Sequence, residues 1–224
     1  MTPPLTYVEH QRTHRLISSR HDGGALDDLF DTDDEAEAIF DLDGATNDRL
    51  LAEAGRKTGI GPEELVFGVP YSTIINAAFT HPSPFGGRFN TPDRGAWYAG
   101  FEFESALAEV TWHHTRWLDE IGVFEDEVTK DEWLADFTGE FHDIRDQDEF
   151  GSCLDPDPDT GYPIGQRLAA SILGVGSLGL IYPAVRNAGG TNIACFRPAL
   201  VNNVQHGRVV RFIWSGGSSP EIVF

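Results

Sequence analysis

Residues 86–110 read GGRFNTPDRGAWYAGFEFESALAEV. Three local structures follow one another here. The paired glycines, with the prolines of HPSPFGGRFN (81–90) and Pro92 around them, make a turn-rich loop. Ala96–Gly100 then reads as a short strand. Glu104–Leu118 reads as a helix, with Leu107, Val110 and Trp117 roughly along one core-facing side. A loop feeding a short strand that turns at once into a helix is the nucleus around which the rest is read.

Upstream, residues 7–17 alternate loosely and read as a first strand containing Arg15. From Ala25 to Gly68 the composition becomes acidic. Thr46 is a helix N-cap for a segment ending near Gly55, and Pro62 with Glu63 and Glu64 marks another helix start. The stretch 25–68 is therefore read as an acidic helical insertion after the first strand. Ser72–Phe79 is apolar, and its type is left open. Downstream, Trp133, Ala135 and Phe137 alternate as in a strand, and DPDPDTG (155–161) reads as irregular. Pro163 reads as the start of a helix running to about Gly174. Leu178–Tyr182, Asn192–Phe196 and Val209–Trp214 read as three more strands. Strands with a few separated helices point to an α+β fold, and 224 residues suit one domain over 1–224.

The charge bounds the function. Acids outnumber bases by 36 to 16, a formal net charge of −20, and the bases are 14 Arg and 2 Lys. Such a surface argues against direct binding of nucleic acid or of an anionic membrane, which need a basic face. Arginine without lysine suits bidentate grip on phosphate or carboxylate rather than general positive charge. The N-terminus has no apolar signal-peptide core, and the apolar stretch Ser171–Val185 is too short and too broken to span a bilayer. A cytoplasmic location is the expectation.

Several motifs read as structure. Gly174-Val-Gly176-Ser-Leu-Gly179 matches G-x-G-x-x-G, but a helix precedes it and a strand follows, the reverse of a dinucleotide fingerprint. A helix end followed by a turn accounts for it. His113 and His114 are adjacent, so on a helix they diverge by about 100° and share no metal. Cys153 and Cys195 form no disulfide framework or metal site, and Cys195 lies in an apolar strand. No metal is expected.

Arg88, Tyr98 and Glu109 carry more. Arg88 follows two glycines that let the backbone approach a ligand, and its guanidinium suits a phosphate. Glu109 stands between apolar neighbours near the expected buried face, where a carboxylate is unfavourable unless paired or functional. Residue by residue each also has an ordinary reading: a surface ion pair, a core aromatic and a solvated helix residue.

Taken in order, GGRFN, YAG and ALAEV resemble the RES domain family, named for its Arg, Glu and Ser motif residues. The likeness extends to Thr13-His14-Arg15-Leu16 and to the run from Tyr182-Pro183-Ala184-Val185-Arg186 through Gly189-Gly190-Thr191-Asn192-Ile193-Ala194-Cys195-Phe196-Arg197-Pro198. It covers most of residues 13–200. The family's serine is expected after Tyr182-Pro183, where this chain has Ala184.

The resemblance implies an ADP-ribosyltransferase-like mixed sheet with flanking helices. It also implies a toxin of a bacterial toxin–antitoxin pair that arrests growth by depleting NAD. The reaction is cleavage of the nicotinamide–ribose bond by an NAD glycohydrolase or phosphorylase. NAD is the substrate, and no resident cofactor is required. The partner is a cognate antitoxin with a helix-turn-helix domain, with a toxin homodimer inside the complex as a further expectation. Glu109, Arg88 and Tyr98 are the catalytic candidates. Arg15, Arg88, Tyr98, the Ala184 position and Arg186 are the substrate-binding candidates. Two other functions stay open: ADP-ribose transfer to a macromolecule, and a degenerate, non-catalytic binding protein.

Overall fold

The computed structural model describes residues 1–19, 52 and 59–224. Among them are seven strands: β1 (Leu5–Ser18), β2 (Trp97–Gly100), β3 (Glu125–Asp143), β4 (Gly179–Pro183), β5 (Thr191–Cys195), β6 (Asn202–Ser215) and β7 (Glu221–Val223). Three α-helices flank them: α1 (Ser72–Thr80), α2 (Phe103–Ile121) and α3 (Pro158–Gly174). This is an α+β fold around one mixed sheet of order β1-β2-β5-β4-β3-β6-β7. The pairing of β1 with β3 closes the first five strands into a ring. The contact between β3 and β4 is parallel, and the others are antiparallel.

Alternation along the strands separates two layers. Trp97 and Ala99 on β2, Trp133, Ala135, Phe137 and Phe141 on β3, and Ile181, Ile193 and Cys195 form one core with Ile75 and Phe79 of α1. Their sequence neighbours point the other way. Tyr98, Leu180, Tyr182 and Ala194 pack with Phe89 and with Ala169 and Ile172 of α3. A third cluster joins Phe103, Ala106 and Leu118 of α2 to Val210, Phe212 and Trp214 of β6. Among the described residues no helix is long and apolar enough to cross a membrane.

Several expectations are corrected or completed. Ser72–Phe79 is helical, its buried residues Ile75, Asn76, Phe79 and Thr80 following the helical period. The segment read as irregular over 155–161 already contains the start of α3. Asp157 is the N-cap, accepting from the Asp159 amide, and Pro158 fills the first helical position, where no N–H is needed. Pro163 therefore lies inside the helix rather than at its start. Trp117 is 49 % exposed and does not face the core. The buried side of α2 is set instead by Phe103, Ala106 and Leu118. Gly174 ends α3 and Gly176 takes a φ of 87°, as a helix end followed by a turn requires. The helix expected over Thr46–Gly55 lies, apart from Ala52, outside the described residues, and so does most of the stretch 25–68. Of that stretch, Ala52 is buried in the first core and Pro62–Glu64 forms a 3-10 turn.

Candidate active site

The 86–90 loop is held by its own neighbours. Gly86 takes a φ of 74°, favourable for glycine, and a Cβ there would lie 2.2 Å from the Asn90 carbonyl oxygen. The Gly87 amide donates to the Asn90 carbonyl at 3.0 Å. The Tyr98 hydroxyl donates to Asn90 Oδ1 at 2.9 Å and accepts from the Phe89 amide at 2.8 Å. From α3, Gln166 Nε2 donates to the carbonyls of Phe85 and Gly87. Gly165 lets this helix come close: a Cβ there would lie 2.3 Å from the Arg88 carbonyl oxygen. The loop is thus a tied platform that fixes where Arg88 points.

Arg88 is 8 % exposed. Its Nη1 donates to the carbonyls of Cys153 (2.7 Å) and Asp155 (2.9 Å), and its guanidinium carbon lies 5.1 Å from the Tyr162 ring centroid. Arg15 on β1 donates to the Tyr98 carbonyl at 3.1 Å and stacks over Trp97 at 5.0 Å. Burial lowers its pKa to about 10, which leaves it cationic at neutral pH. Neither guanidinium has a carboxylate partner among the described residues.

Glu109 reaches the site because α2 lies close on the sheet. A Cβ at Gly100 would lie 2.6 Å from the Glu102 carbonyl and 2.8 Å from Ser105 Cβ, so glycine there admits the helix. Gly100 pairs with Asn192 on β5, and Asn192 Nδ2 donates to Glu109 Oε1 at 3.3 Å. The side chain of Glu109 is 29 % exposed, and Oε2 lies 4.0 Å from His113 Nε2. Burial raises the Glu109 pKa, with Arg186, Arg88 and the Asn192 hydrogen bond pulling the other way. His113 is driven down to about 4 by desolvation and by Arg186, Arg116 and Arg88, so it is neutral at physiological pH.

Arg15, Arg88, Tyr98 and Glu109 all line one cleft of about 950 Å³. Four of the six sequence candidates are thus brought together from β1, the loop, β2 and α2. Tyr98 contributes its ring to the wall while its hydroxyl is committed to the loop. Ala184 and Arg186 do not line the cleft. Ala184 is buried in the β4–β5 turn, its amide bonded to the Gly190 carbonyl. Arg186 stacks 3.5 Å over Trp112 and donates to the Pro156 carbonyl, acting on Glu109 only through its charge.

Among the lining residues that were not sequence candidates are Asn192, Tyr162 and His113, the last considered only as a metal ligand. Asn192 carried a usable signal, because an amide in a strand whose other buried residues are Ile, Ala and Cys must find a partner or a ligand. Tyr162 did not, since it follows a stretch read as irregular. Among the described residues no cluster of His, Cys, Asp and Glu is arranged to hold a metal ion.

The RES domain model matches residues 65–215, which include Arg88, Tyr98, Glu109 and Asn192. The chain belongs to the RES domain family. Arg15 lies outside the matched range and reaches the cleft through the pairing of β1 with β3 and β2. Among solved structures, the chain is similar to the crystal structure of the M. tuberculosis MbcT-MbcA toxin-antitoxin complex. Identity is 17 %, the TM-score is 0.40, and the match covers 57 % of this chain and 72 % of that chain. A search of curated proteins finds no match.

Proposed function

We propose that this chain is an NAD-consuming toxin that cleaves the nicotinamide–ribose bond and is neutralised by a cognate antitoxin. One observation carries the reading. In a RES-family chain, a partly buried carboxylate, Glu109, shares a cleft with two guanidiniums, Arg15 and Arg88, that form no ion pair with a carboxylate among the described residues. Cations held by carbonyls and aromatic faces keep their charge for a ligand, and a pyrophosphate is the ligand a guanidinium fork suits.

The chemistry is consistent with these groups. When the C1–N bond breaks, its electron pair moves to the pyridinium nitrogen and nicotinamide leaves neutral. Leaving-group departure therefore needs no general acid, unlike ordinary glycoside cleavage. The positive charge that develops on the ribosyl carbon is the charge a fixed carboxylate stabilises. Glu109 has that role and also orients the acceptor, whether water or phosphate. Arg15 and Arg88 bind the pyrophosphate. The Tyr98 ring packs the nicotinamide end, and Tyr98 keeps the loop in shape.

Product analysis of the purified chain with NAD, with and without phosphate, tests the reading. Free ADP-ribose or its 1″-phosphate is the expected product. Label transferred to protein or nucleic acid with little free product would point instead to an ADP-ribosyltransferase. NAD left untouched with every acceptor would overturn both. Co-purification with the product of an adjacent antitoxin gene tests the partner.

A further inference from the structure

The charges of the cleft are carried by separate elements. Glu109 stands on α2, whereas Arg88 is held by the Cys153 and Asp155 carbonyls, in the segment that leads into α3. Among the described residues no hydrogen bond or ion pair joins α2 directly to residues 148–174.

The β4–β5 turn supplies the tie. The Arg186 guanidinium carbon lies 3.5 Å from the Trp112 ring centroid, and its Nη2 donates to the Pro156 carbonyl. Trp112 comes three residues after Glu109, which makes the two neighbours on the surface of α2. Pro156 follows Asp155, whose carbonyl accepts from Arg88. One side chain therefore touches the immediate neighbours of both groups. The same turn is anchored at the start of α2, where Asn187 Nδ2 donates to Ser105 Oγ at 3.0 Å.

Solvation does not explain this placement. Arg186 Nε is buried with no hydrogen-bond partner, an unfavourable state for a donor. The geometry needs a planar guanidinium, whose face covers the indole while an N–H at its edge reaches a carbonyl. Neither Arg186 nor Trp112 lines the cleft, so neither acts by touching a ligand there.

We propose that Arg186 is a positioning residue: stacked on Trp112 and bonded to the Pro156 carbonyl, it fixes where the segment holding Arg88 stands relative to α2. The proposal rests on the NAD reading and deepens it, because a dinucleotide must meet Arg88 and Glu109 at one fixed spacing.

The test uses the full chain and three substitutions. Trp112→Leu removes the stack and keeps every charge, Trp112→Tyr keeps an aromatic face, and Arg186→Gln serves if Trp112→Leu fails to fold. Trp112→Leu and Arg186→Gln should each lower kcat/KM for NAD by about tenfold or more, as misplacement around a reacting centre does. Their combination should lose no more than about threefold beyond the larger single loss, because both break one tie. Trp112→Tyr should stay within about threefold of wild type. Calorimetry separates spacing from general damage. ADP-ribose, which spans both groups, should bind Trp112→Leu and Arg186→Gln about tenfold more weakly, whereas ADP, which lacks the terminal ribose, should stay within about threefold. Equal weakening of both ligands, or of neither, would overturn the proposal, and so would a Trp112→Tyr as impaired as Trp112→Leu. Should wild type bind ADP-ribose yet leave NAD intact, the cleavage reading fails by itself and the binding comparison still decides the role of Arg186. A wild type that binds neither ligand overturns both.

Discussion

Glu132 on β3 and Glu109 on α2 are the same side chain drawn out of bulk water, and their surroundings push them in opposite directions. The Glu132 side chain is 3 % exposed, accepts from the Arg208 amide and guanidinium, and sits 2.6 Å from His14 Nδ1. Burial alone would raise its pKa, but these bonds hold it at about 2. Glu109 is more exposed, yet among the described residues it has one hydrogen bond, at 3.3 Å, and its pKa is raised by burial. The arginines divide in the same way. Arg12, Arg94, Arg145, Arg197 and Arg208 hold Asp136, Glu64, Asp143, Glu64 and Glu132, whereas Arg15, Arg88 and Arg186 lean on carbonyls and aromatic rings. Charges that support the fold are saturated with partners of opposite sign. Charges around the cleft are held in place with their electrostatic capacity unspent.

The largest expected effect is at Glu109. Glu109→Gln should lower NAD cleavage by about 10²–10³-fold, the scale of losing one preorganised electrostatic contact, while the melting temperature stays within about 2 °C. Glu132→Ala should do the reverse. It strands Arg208 and His14 and should destabilise the chain by about 2–3 kcal/mol, below the value for a fully buried pair because Arg208 is half exposed. Urea unfolding reads this loss, and the cleavage rate per folded molecule should hold. A large drop in that rate would break the division between the two regions.

Arg88→Lys sharpens the contrast from the other side. An ammonium keeps the charge but not the planar guanidinium, whose Nη1 alone donates to both the Cys153 and Asp155 carbonyls and leaves the other N–H groups for a ligand. It should cost about 1.5 kcal/mol of stability and about tenfold in kcat/KM. Wild-type activity would remove Arg88 from the site.

The smallest effect is in pH. Glu132, held at about 2, stabilises the fold above the ordinary glutamate pKa, and this contribution is lost as pH falls through about 2. Glu109 has the opposite sign. Its raised pKa favours the folded state at low pH, and that contribution fades as pH rises through the folded value. Acidification should therefore extinguish activity before it unfolds the chain, with an acid limb above the ordinary glutamate range. Rate profiles set beside circular dichroism at each pH check this order.

Much of the site was legible because its residues lie on local structure that the sequence announces. Gly86 and Gly87 mark a turn, Trp97–Gly100 marks a strand, and the helix through Glu109 follows from its apolar period. Arg88, Tyr98 and Glu109 lie within 22 consecutive residues, so one stretch carries three of the four sequence candidates that line the cleft. The failures have local causes too. The helical start at Pro158 was hidden by a run of Asp and Pro in which Asp157 is the cap rather than a breaker. Trp117 looked like core because its period matches, but the face it occupies opens on the cleft. Arg186 was placed near the substrate by motif alone, and the turn that carries it directs its guanidinium to Trp112 and Pro156 instead.

The sequence by itself determined the α+β class, the family and the identity of the charged groups, because periodicity, turn chemistry and motif order are properties of neighbouring residues. Only the tertiary structure decided which of those charges remain unsatisfied. Whether a guanidinium meets a carboxylate or a carbonyl depends on strands and helices distant in sequence: β1 beside β2, α3 against the 86–90 loop through Gly165, and Asn192 beneath Glu109. Desolvation and hydrogen-bond supply are sums over that three-dimensional neighbourhood, and they separate Glu109 from Glu132.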